Sequence, residues 1–238
     1  MSNIEFRNNF DILYNNIMSN AAPGINDYEK SVLLTKAQDE ILKNYFNPKG
    51  NKYQEGFDDS SKRQIDFSGL ISIAECELKD NQSGYDLRSK VFGMPEDLFL
   101  IINESLITDL GVKQVVPISF EEYTRLMSRP YKEPLKNQAW RLITGSTDNN
   151  INVEIIPHTN EVISKYNVRY VRKPKPIILV DLASEYGEDV TINGISEESE
   201  CELNPLLHEE ILQRAVELAK IIYTGDANGL LQTGQRSE

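Results

Sequence analysis

The residues best suited to chemistry in this chain are carboxylates in its last quarter. Residues 181–210 include ten acidic side chains and no Lys or Arg. Hard oxygen ligands of this kind bind calcium or magnesium, so one hypothesis is a metal-dependent hydrolase that uses Asp181, Glu185 and Asp189. The spacing matches no defined calcium loop, and a solvated acidic surface explains the same residues more simply.

A basic strand lies just before these carboxylates. Side chains in the segment 161–173 alternate, so that one face is aromatic and apolar and the other is basic. The aromatic face holds Tyr166, Val168 and Tyr170, and the basic face holds Lys165, Arg169 and Lys173, with Arg172 and Lys175 close by.

Three roles are open for the basic face. It can contact phosphates as part of a monomeric nucleic-acid-binding module, it can pair with the acidic residues of a neighbouring copy, or it can simply be solvated. Under the second role, the candidate subunit-interface residues are Lys165, Arg169, Arg172, Lys173, Asp181 and Glu185.

The sequence contains no motif that indicates catalysis or a bound cofactor. The chain has no glycine-rich phosphate loop, no nucleophile elbow and no zinc-protease motif. Cys76, Cys201, His158 and His208 are too scattered for a zinc site. We expect Cys76 to be a buried thiol and His208 to lie at a surface or an interface. The sequence predicts neither a metal nor a cofactor.

Composition is that of an acidic globular protein. Of 238 residues, 39% are hydrophobic, and 37 acidic against 25 basic side chains give a net charge of -12. Such a chain binds nucleic acid poorly in general. No apolar run approaches the length of a membrane span, and the first residues lack the pattern of a secretory signal. We therefore expect a soluble protein without membrane contact.

Helical patterns occupy both ends of the chain. Segments 4–18 and 26–46 have apolar residues at helical spacing and predict a helical hairpin. In the second helix this spacing places Val32 on the buried face and Glu40 on the opposite, solvated face. Asn26 with Glu29 forms a capping box, and Asn204 with Pro205 starts a third helix that ends at residue 224. The sequence predicts a helical layer built from residues 1–46 and 204–224, followed by a flexible tail at 225–238.

The middle of the chain, 47–203, has strand patterns joined by short turns. Alternating or continuous apolar runs predict strands near 70–78, 98–107, 113–118, 138–143, 151–156, 161–173 and 177–180, with an edge strand near 189–195. The run 98–102 is typical of a strand covered on both faces. The fold class is therefore α+β, with an inserted, mainly antiparallel β-rich domain.

Three stretches resemble a known family of virion proteins. They are EFRNNFDILYNNIMSNAAPGINDYEKSVLLTKAQDEILKNYF, VRYVRKPKPIILVDL and CELNPLLHEEILQRAVELAKIIYTGD. They resemble the head-to-tail connector, or ring, proteins of crAss-like and related podovirus-type bacteriophages, whereas residues 47–137 do not contribute to the likeness.

The resemblance implies a structural protein without catalytic residues. It implies a homo-oligomeric ring, commonly twelvefold, that contacts the portal protein and other tail or ring proteins. Genomic DNA would pass through the lumen without specific binding. The location implied is the head-tail junction of the virion, after assembly in the host cytoplasm.

Overall fold

A computed structural model of the chain describes residues 1–17, 24–46, 61–79, 84–129, 133–147, 150–187 and 189–224. The segment after Phe46 and the predicted tail at 225–238 lie outside these residues. The helices are α1 Asn3–Ile17, α2 Asp27–Phe46, α3 Ser61–Asp66, α4 Phe120–Met127, α5 Leu182–Tyr186 and α6 His208–Thr224. The strands are β1 Ile71–Glu75, β2 Glu77–Leu78, β3 Lys90–Gly93, β4 Leu98–Thr108, β5 Gly111–Pro117, β6 Gln138–Thr147, β7 Asn150–Pro157 and β8 Ile163–Arg172. The α+β class is confirmed.

The chain divides into two compact units. The helical unit comprises the described residues of Met1–Leu70 and Pro174–Glu238, and the sheet unit is Ile71–Lys173. The sheet unit is shorter than the predicted 47–203 insertion, because the chain after Pro174 packs with the helices. Among the described residues, no helix is long and apolar enough to cross a bilayer.

In the helical unit, α6 packs against both α1 and α2. The predicted apolar stripe of α1 is confirmed, since Phe6, Phe10 and Tyr14 are all buried. The Asn26 side chain accepts the backbone N–H of Glu29 at 2.8 Å, and Glu29 accepts the N–H of Asn26 at 2.9 Å. This reciprocal pair is the capping box expected at the start of α2.

Helix α2 is buried on more sides than its sequence suggests. The predicted solvated face includes Glu40, which is buried and accepts from Arg214 of α6 at 2.7 Å. Conversely Val32, predicted to be in the core, is 38% exposed. Those two expectations were wrong because α2 has neighbours on several sides, and an apolar-polar pattern cannot reveal where each neighbour lies.

An extended segment, 175–179, crosses the buried polar side of α2. Thr35 Oγ1 accepts the N–H of Ile177 at 3.1 Å, and Ser31 Oγ accepts the N–H of Leu179 at 3.0 Å. Gln38 donates to the carbonyl of Lys175 at 2.9 Å. Helix side chains thus satisfy backbone groups that a sheet would otherwise satisfy.

Two predicted strands in the helical unit are reduced to isolated bridges. Among the described residues, Ile178 pairs only with Ser199, so the predicted strand at 177–180 does not form there. Within the predicted 189–195 edge strand, a single bridge joins Ile192 to Ile195. The intervening Asn193 and Gly194 have φ of 52° and 82°, the left-handed conformation of a tight hairpin turn.

The described residues of the sheet unit form eight strands in the order β1-β8-β4-β5-β6-β7-β3-β2. All neighbouring pairs are antiparallel except β5 and β6, which are parallel. The first part of β4 is less covered than predicted: Leu98 to Ile102 are half-buried. Register shifts near Leu100 and Asn103 interrupt its pairing with β8 there.

The sheet is rolled so that its two edges meet. Strands β1 and β2 lie at opposite ends of the strand order, yet only Cys76 separates them. The Cys76 N–H continues the β1 pairing by donating to Tyr166 at 2.8 Å, and the Lys79 N–H extends the β2 pairing to Val91 at 2.8 Å. One bent segment therefore borders both β8 and β3.

Side chains alternate between the inside and the outside of this rolled sheet. The inside is an apolar core with contributions from β3 to β8, including Phe92, Leu106 and Tyr166. On the outside, α4 covers β6 and β7 through Tyr123, which packs with Trp140 and other apolar groups. The expected burial of the Cys76 thiol is confirmed.

Candidate subunit interface

Strand β8 places the predicted aromatic and basic residues on opposite sides of the sheet. Tyr166, Val168 and Tyr170 are buried in the inner core, as predicted. Because neighbouring residues of a strand point to opposite faces, Lys165 and Arg169 face outward.

The inner side of β8 carries a buried polar group. The Tyr166 hydroxyl donates to the carboxylate of Glu104, and Arg141 Nε lies 3.4 Å from Glu104 Oε1, as an ion pair outside hydrogen-bond geometry. Burial raises the pKa of Glu104, and the hydrogen bond from Tyr166 opposes that rise. Burial also raises the pKa of Tyr166, followed by the charge of Glu104.

The outward basic residues differ in their surroundings. Lys165 Nζ lies 2.8 Å from Glu75 Oε2, and both side chains are about half exposed. Arg169 is half-buried between Ile73 of β1 and Asn103 of β4. Beyond the strand, Lys173 is exposed, and its N–H donates to the Asp97 carbonyl at 2.7 Å.

The predicted acidic residues lie in the helical unit. Asp181 caps α5 by accepting the Ala183 N–H at 3.1 Å, and Glu185 is exposed one turn later. Within the described part of the chain, no three His, Cys, Asp or Glu side chains are placed to share a metal ion. Asp181 and Glu185 thus form an acidic surface on the helical unit. The basic residues of β8 form a second charged surface, on the sheet unit.

His208 is not at the surface, contrary to the prediction. Its ring is 4% exposed and packs on Phe6 with a centroid distance of 5.3 Å. Nε2 donates to the carbonyl of Leu203 at 3.0 Å. Burial lowers the pKa of His208. The sequence placed His208 beside acidic residues and gave no sign that α1 would cover it.

A structured loop at residues 84–89, which we call the 84–89 loop, was missed by the sequence patterns. At its centre Asp86 is buried and accepts from Arg88 and from the Tyr123 hydroxyl. The Asp86 N–H donates to the buried carboxylate of Glu154 at 2.8 Å. The hydrogen bonds from Arg88 lower the pKa of Asp86. Short segments without periodicity carry no pattern from which this could be predicted.

The second feature missed by the sequence patterns is a cavity between α2 and α6, which we call the α2–α6 groove. Its volume is about 280 Å³. The lining side chains are mainly apolar and include Tyr28, Val32, Leu33, Ala219, Ile222 and Tyr223, with Glu29 also contributing. Two further cavities lie on the sheet unit and are lined in part by charged residues such as Glu75 and Glu77.

Comparison with known proteins identifies the family. Residues 1–230 match the family model described as phage tail ring protein 3/4. The chain belongs to this family. The ring protein is 64% identical over 236 residues to Ring protein 4/5 of Bacteroides phage crAss001, and the match covers 98% of each chain. It is 33% identical over 238 residues to Ring protein 3 of the same phage, covering 94% of this chain and 97% of the relative.

These matches confirm the predicted resemblance and the predicted class of protein. The relatives are named ring proteins of a phage and not enzymes. This ring protein therefore has a structural role in a phage tail ring, as a component of a virion, and is not an enzyme.

Proposed function

We propose that this ring protein is a head-to-tail connector subunit that joins the portal to the tail. Its copies form a closed homo-oligomeric ring, twelvefold in symmetry, at the head-tail junction. The portal protein and other tail or ring proteins contact this ring from above and below. Assembly takes place in the host cytoplasm, and genomic DNA passes through the lumen without specific binding.

The observation that carries this proposal is the separation of charge between the two units. A ring of identical subunits needs two different surfaces on each chain, because each copy meets its neighbours head to tail. Two outward residues of β8, Lys165 and Arg169, are basic, whereas α5 and its surroundings in the helical unit are acidic. Opposite charges in this arrangement steer one copy toward the next and oppose wrong pairings.

The interface that we propose pairs the basic residues of one copy with the acidic residues of the next. The basic side consists of Lys165, Arg169, Arg172 and Lys173, and the acidic side includes Asp181 and Glu185. The existing contact between Lys165 and Glu75 is compatible with this role. Exposed ion pairs contribute only about 0–1 kcal/mol, so Lys165 can exchange its partner at little cost.

The test is charge reversal followed by complementary reversal. The Arg169→Glu, Lys173→Glu variant and the Asp181→Lys, Glu185→Lys variant should each fail to assemble alone. Mixing the two should restore alternating contacts and oligomers. The matched control is Arg125→Glu on α4, an exposed arginine whose reversal should leave assembly unchanged.

Native mass spectrometry and electron microscopy, with and without the portal protein, are the measurements. Wild-type protein that stays monomeric even with the portal would contradict the ring. Salt-sensitive binding of duplex DNA by that monomer, lost in an Arg169→Ala, Arg172→Ala variant, would instead indicate a nucleic-acid-binding module.

A further inference from the structure

The tip of the 84–89 loop presents apolar side chains to solvent. Leu87 is fully exposed, and Tyr85 is 71% exposed. The Tyr85 ring makes edge contacts with Phe120 and Tyr123, at centroid distances of 5.9 and 5.8 Å. Single exposed apolar residues are common on protein surfaces, so exposure alone would carry no conclusion.

What distinguishes this loop is how firmly buried polar groups hold it. Arg88 donates to both carboxylate oxygens of Asp86, at 3.1 and 3.0 Å. The Tyr123 hydroxyl donates to the same carboxylate at 2.9 Å, and Ser89 Oγ donates to the Asp86 carbonyl at 2.6 Å. Below the loop, the fully buried Glu154 accepts the Asp86 N–H.

Burying two carboxylates is costly unless their hydrogen bonds are well formed. Both oxygens of Asp86 and Oε1 of Glu154 accept hydrogen bonds, whereas Oε2 of Glu154 accepts none from the described residues. These buried carboxylates hold a fixed turn. Its most exposed side chain, Leu87, lies outside the core. A rigid apolar tip loses little conformational entropy when it enters a partner's pocket. Tyrosine is among the residues that most often dominate the binding energy of an interface, and the exposed Tyr85 lies beside Leu87 at this tip.

A receiving surface of matching chemistry is present on the same chain. The α2–α6 groove is lined mainly by apolar side chains, three of which are partly exposed: Val32 at 38%, Ile222 at 56% and Tyr223 at 38%. An apolar cavity of roughly 150 Å³ already holds a benzene-sized molecule. The groove, at about 280 Å³, therefore has room for Leu87 and part of the Tyr85 ring.

We infer that Leu87 and Tyr85 of one copy insert into the α2–α6 groove of the next copy around the ring. This inference rests on the proposed function, because a closed ring of identical subunits requires two different, mutually complementary surfaces on every chain. The 84–89 loop belongs to the sheet unit and the α2–α6 groove to the helical unit. The two features are thus distinct surfaces, as a head-to-tail contact demands, and a second copy is the occupant that supplies both.

Mixed disulfide crosslinking tests this contact directly. Two single variants, Leu87→Cys and Val32→Cys, are prepared separately and oxidised alone and as a mixture. The mixture should give a covalent dimer, and neither variant alone should, because the contact is head to tail. Burial raises the pKa of the native thiols Cys76 and Cys201 to about 12 and about 11, so wild-type protein should not crosslink.

The matched control is Leu110→Cys mixed with Val32→Cys. Leu110 is 71% exposed at the tip of the β4–β5 turn of the same unit, and it should give no mixed dimer. In addition, Leu87→Asp should weaken self-association by about tenfold or more while leaving the circular dichroism spectrum unchanged.

Each other outcome overturns a specific statement. Oligomers that form without a Leu87–Val32 crosslink overturn this contact and leave the ring standing. A dimer from Leu87→Cys alone shows a symmetric contact and overturns it as well. If Val32→Cys reacts with a thiol reagent only after removal of residues 225–238, the groove holds the chain's own terminus, which also overturns it. Protein that remains monomeric with and without the portal overturns the ring itself.

Discussion

Asp86 shows how a single buried carboxylate can organise a loop that has almost no apolar core of its own. Its two oxygens accept from Arg88 and Tyr123, and its own N–H is held by Glu154. The loop can therefore keep one shape although Tyr85 and Leu87 face water. Burial raises the pKa of Tyr123 to about 12, and its hydrogen bond to Asp86 adds to that rise.

Gly84 should be required for this shape. A Cβ at position 84 would lie 1.9 Å from Ser89 Oγ and 2.5 Å from Glu154 Oε1, and both of those atoms are already engaged by Asp86. We expect Gly84→Ala to lower the free energy of unfolding by about 1–3 kcal/mol. Gly24→Ala is the control, since a Cβ there meets nothing within 4 Å. Urea unfolding of both variants is the measurement, and equal effects would contradict this role.

His208 should make stability depend on pH near neutrality. Burial lowers its pKa in the folded state, so the unfolded chain binds the proton more readily. Stability should therefore fall as pH drops from about 7 to about 5, through the unfolded pKa of about 6.5. In His208→Gln the fall should be smaller. Urea unfolding at both pH values measures it, and an unchanged pH dependence in the variant would refute the assignment.

At the scale of elements, α2 shows which features a sequence can predict. Its capping box was predictable because Asn26 and Glu29 lie within one turn. The contact of Glu40 with Arg214 was not predictable, because these two residues are 174 positions apart in the chain. The Ser31 and Thr35 hydroxyls likewise hydrogen-bond an extended segment more than 140 residues away. Local patterns define helices but do not identify their partners.

Removing Arg214 should expose the cost of burying Glu40. Arg214→Met leaves that carboxylate without its charged partner, and we expect a loss of about 3–5 kcal/mol. The double variant Arg214→Met, Glu40→Leu should recover most of this loss. Glu217→Ala, which removes only the exposed partner of Arg214, should cost less than about 1 kcal/mol. Chemical unfolding of all three variants tests this explanation. A double variant that is as unstable as Arg214→Met would contradict it.

Thr35 should anchor the extended segment to α2. Its hydroxyl accepts the Ile177 N–H at 3.1 Å and lies 3.3 Å from the Ile177 carbonyl. Thr35→Val keeps the volume and leaves both backbone groups without that partner, so we expect a loss of about 1–3 kcal/mol. Thr124→Val, at an exposed position of α4, should be near neutral. Calorimetry or urea unfolding tests the pair.

At the scale of the whole molecule, the sequence patterns predicted the α+β fold class and most strands correctly. They could not predict how the sheet closes. Alternation in 70–78 indicated one strand, and the structure splits it at Cys76 into β1 and β2 with different partners. Which strands pair with β1 and with β2 depends on contacts between residues that are far apart in sequence. The parallel pairing of β5 with β6 could not be predicted from local patterns either. The chain passes through α4 between these two strands, so their pairing joins residues that are distant in sequence.

If the charged surfaces join copies, assembly should be sensitive to salt. Raising NaCl from about 0.1 M to about 1 M shortens the Debye length from about 10 Å to about 3 Å. We expect the oligomer to dissociate progressively over this range, as followed by analytical ultracentrifugation. The Arg125→Glu control should respond as the wild type does. An oligomer that becomes tighter with salt would show that the apolar contact at the α2–α6 groove, and not the charged surfaces, dominates assembly.

The passage of one bent segment through Cys76 has a consequence for crowded assemblies. Unpaired strand edges are the usual route by which β-sheets add foreign strands and aggregate. In this protein the two edge strands of the sheet are short, with five residues in β1 and two in β2, and both belong to one bent segment. Many copies can thus be held side by side at high local concentration while their main chains offer little template for runaway cross-β growth.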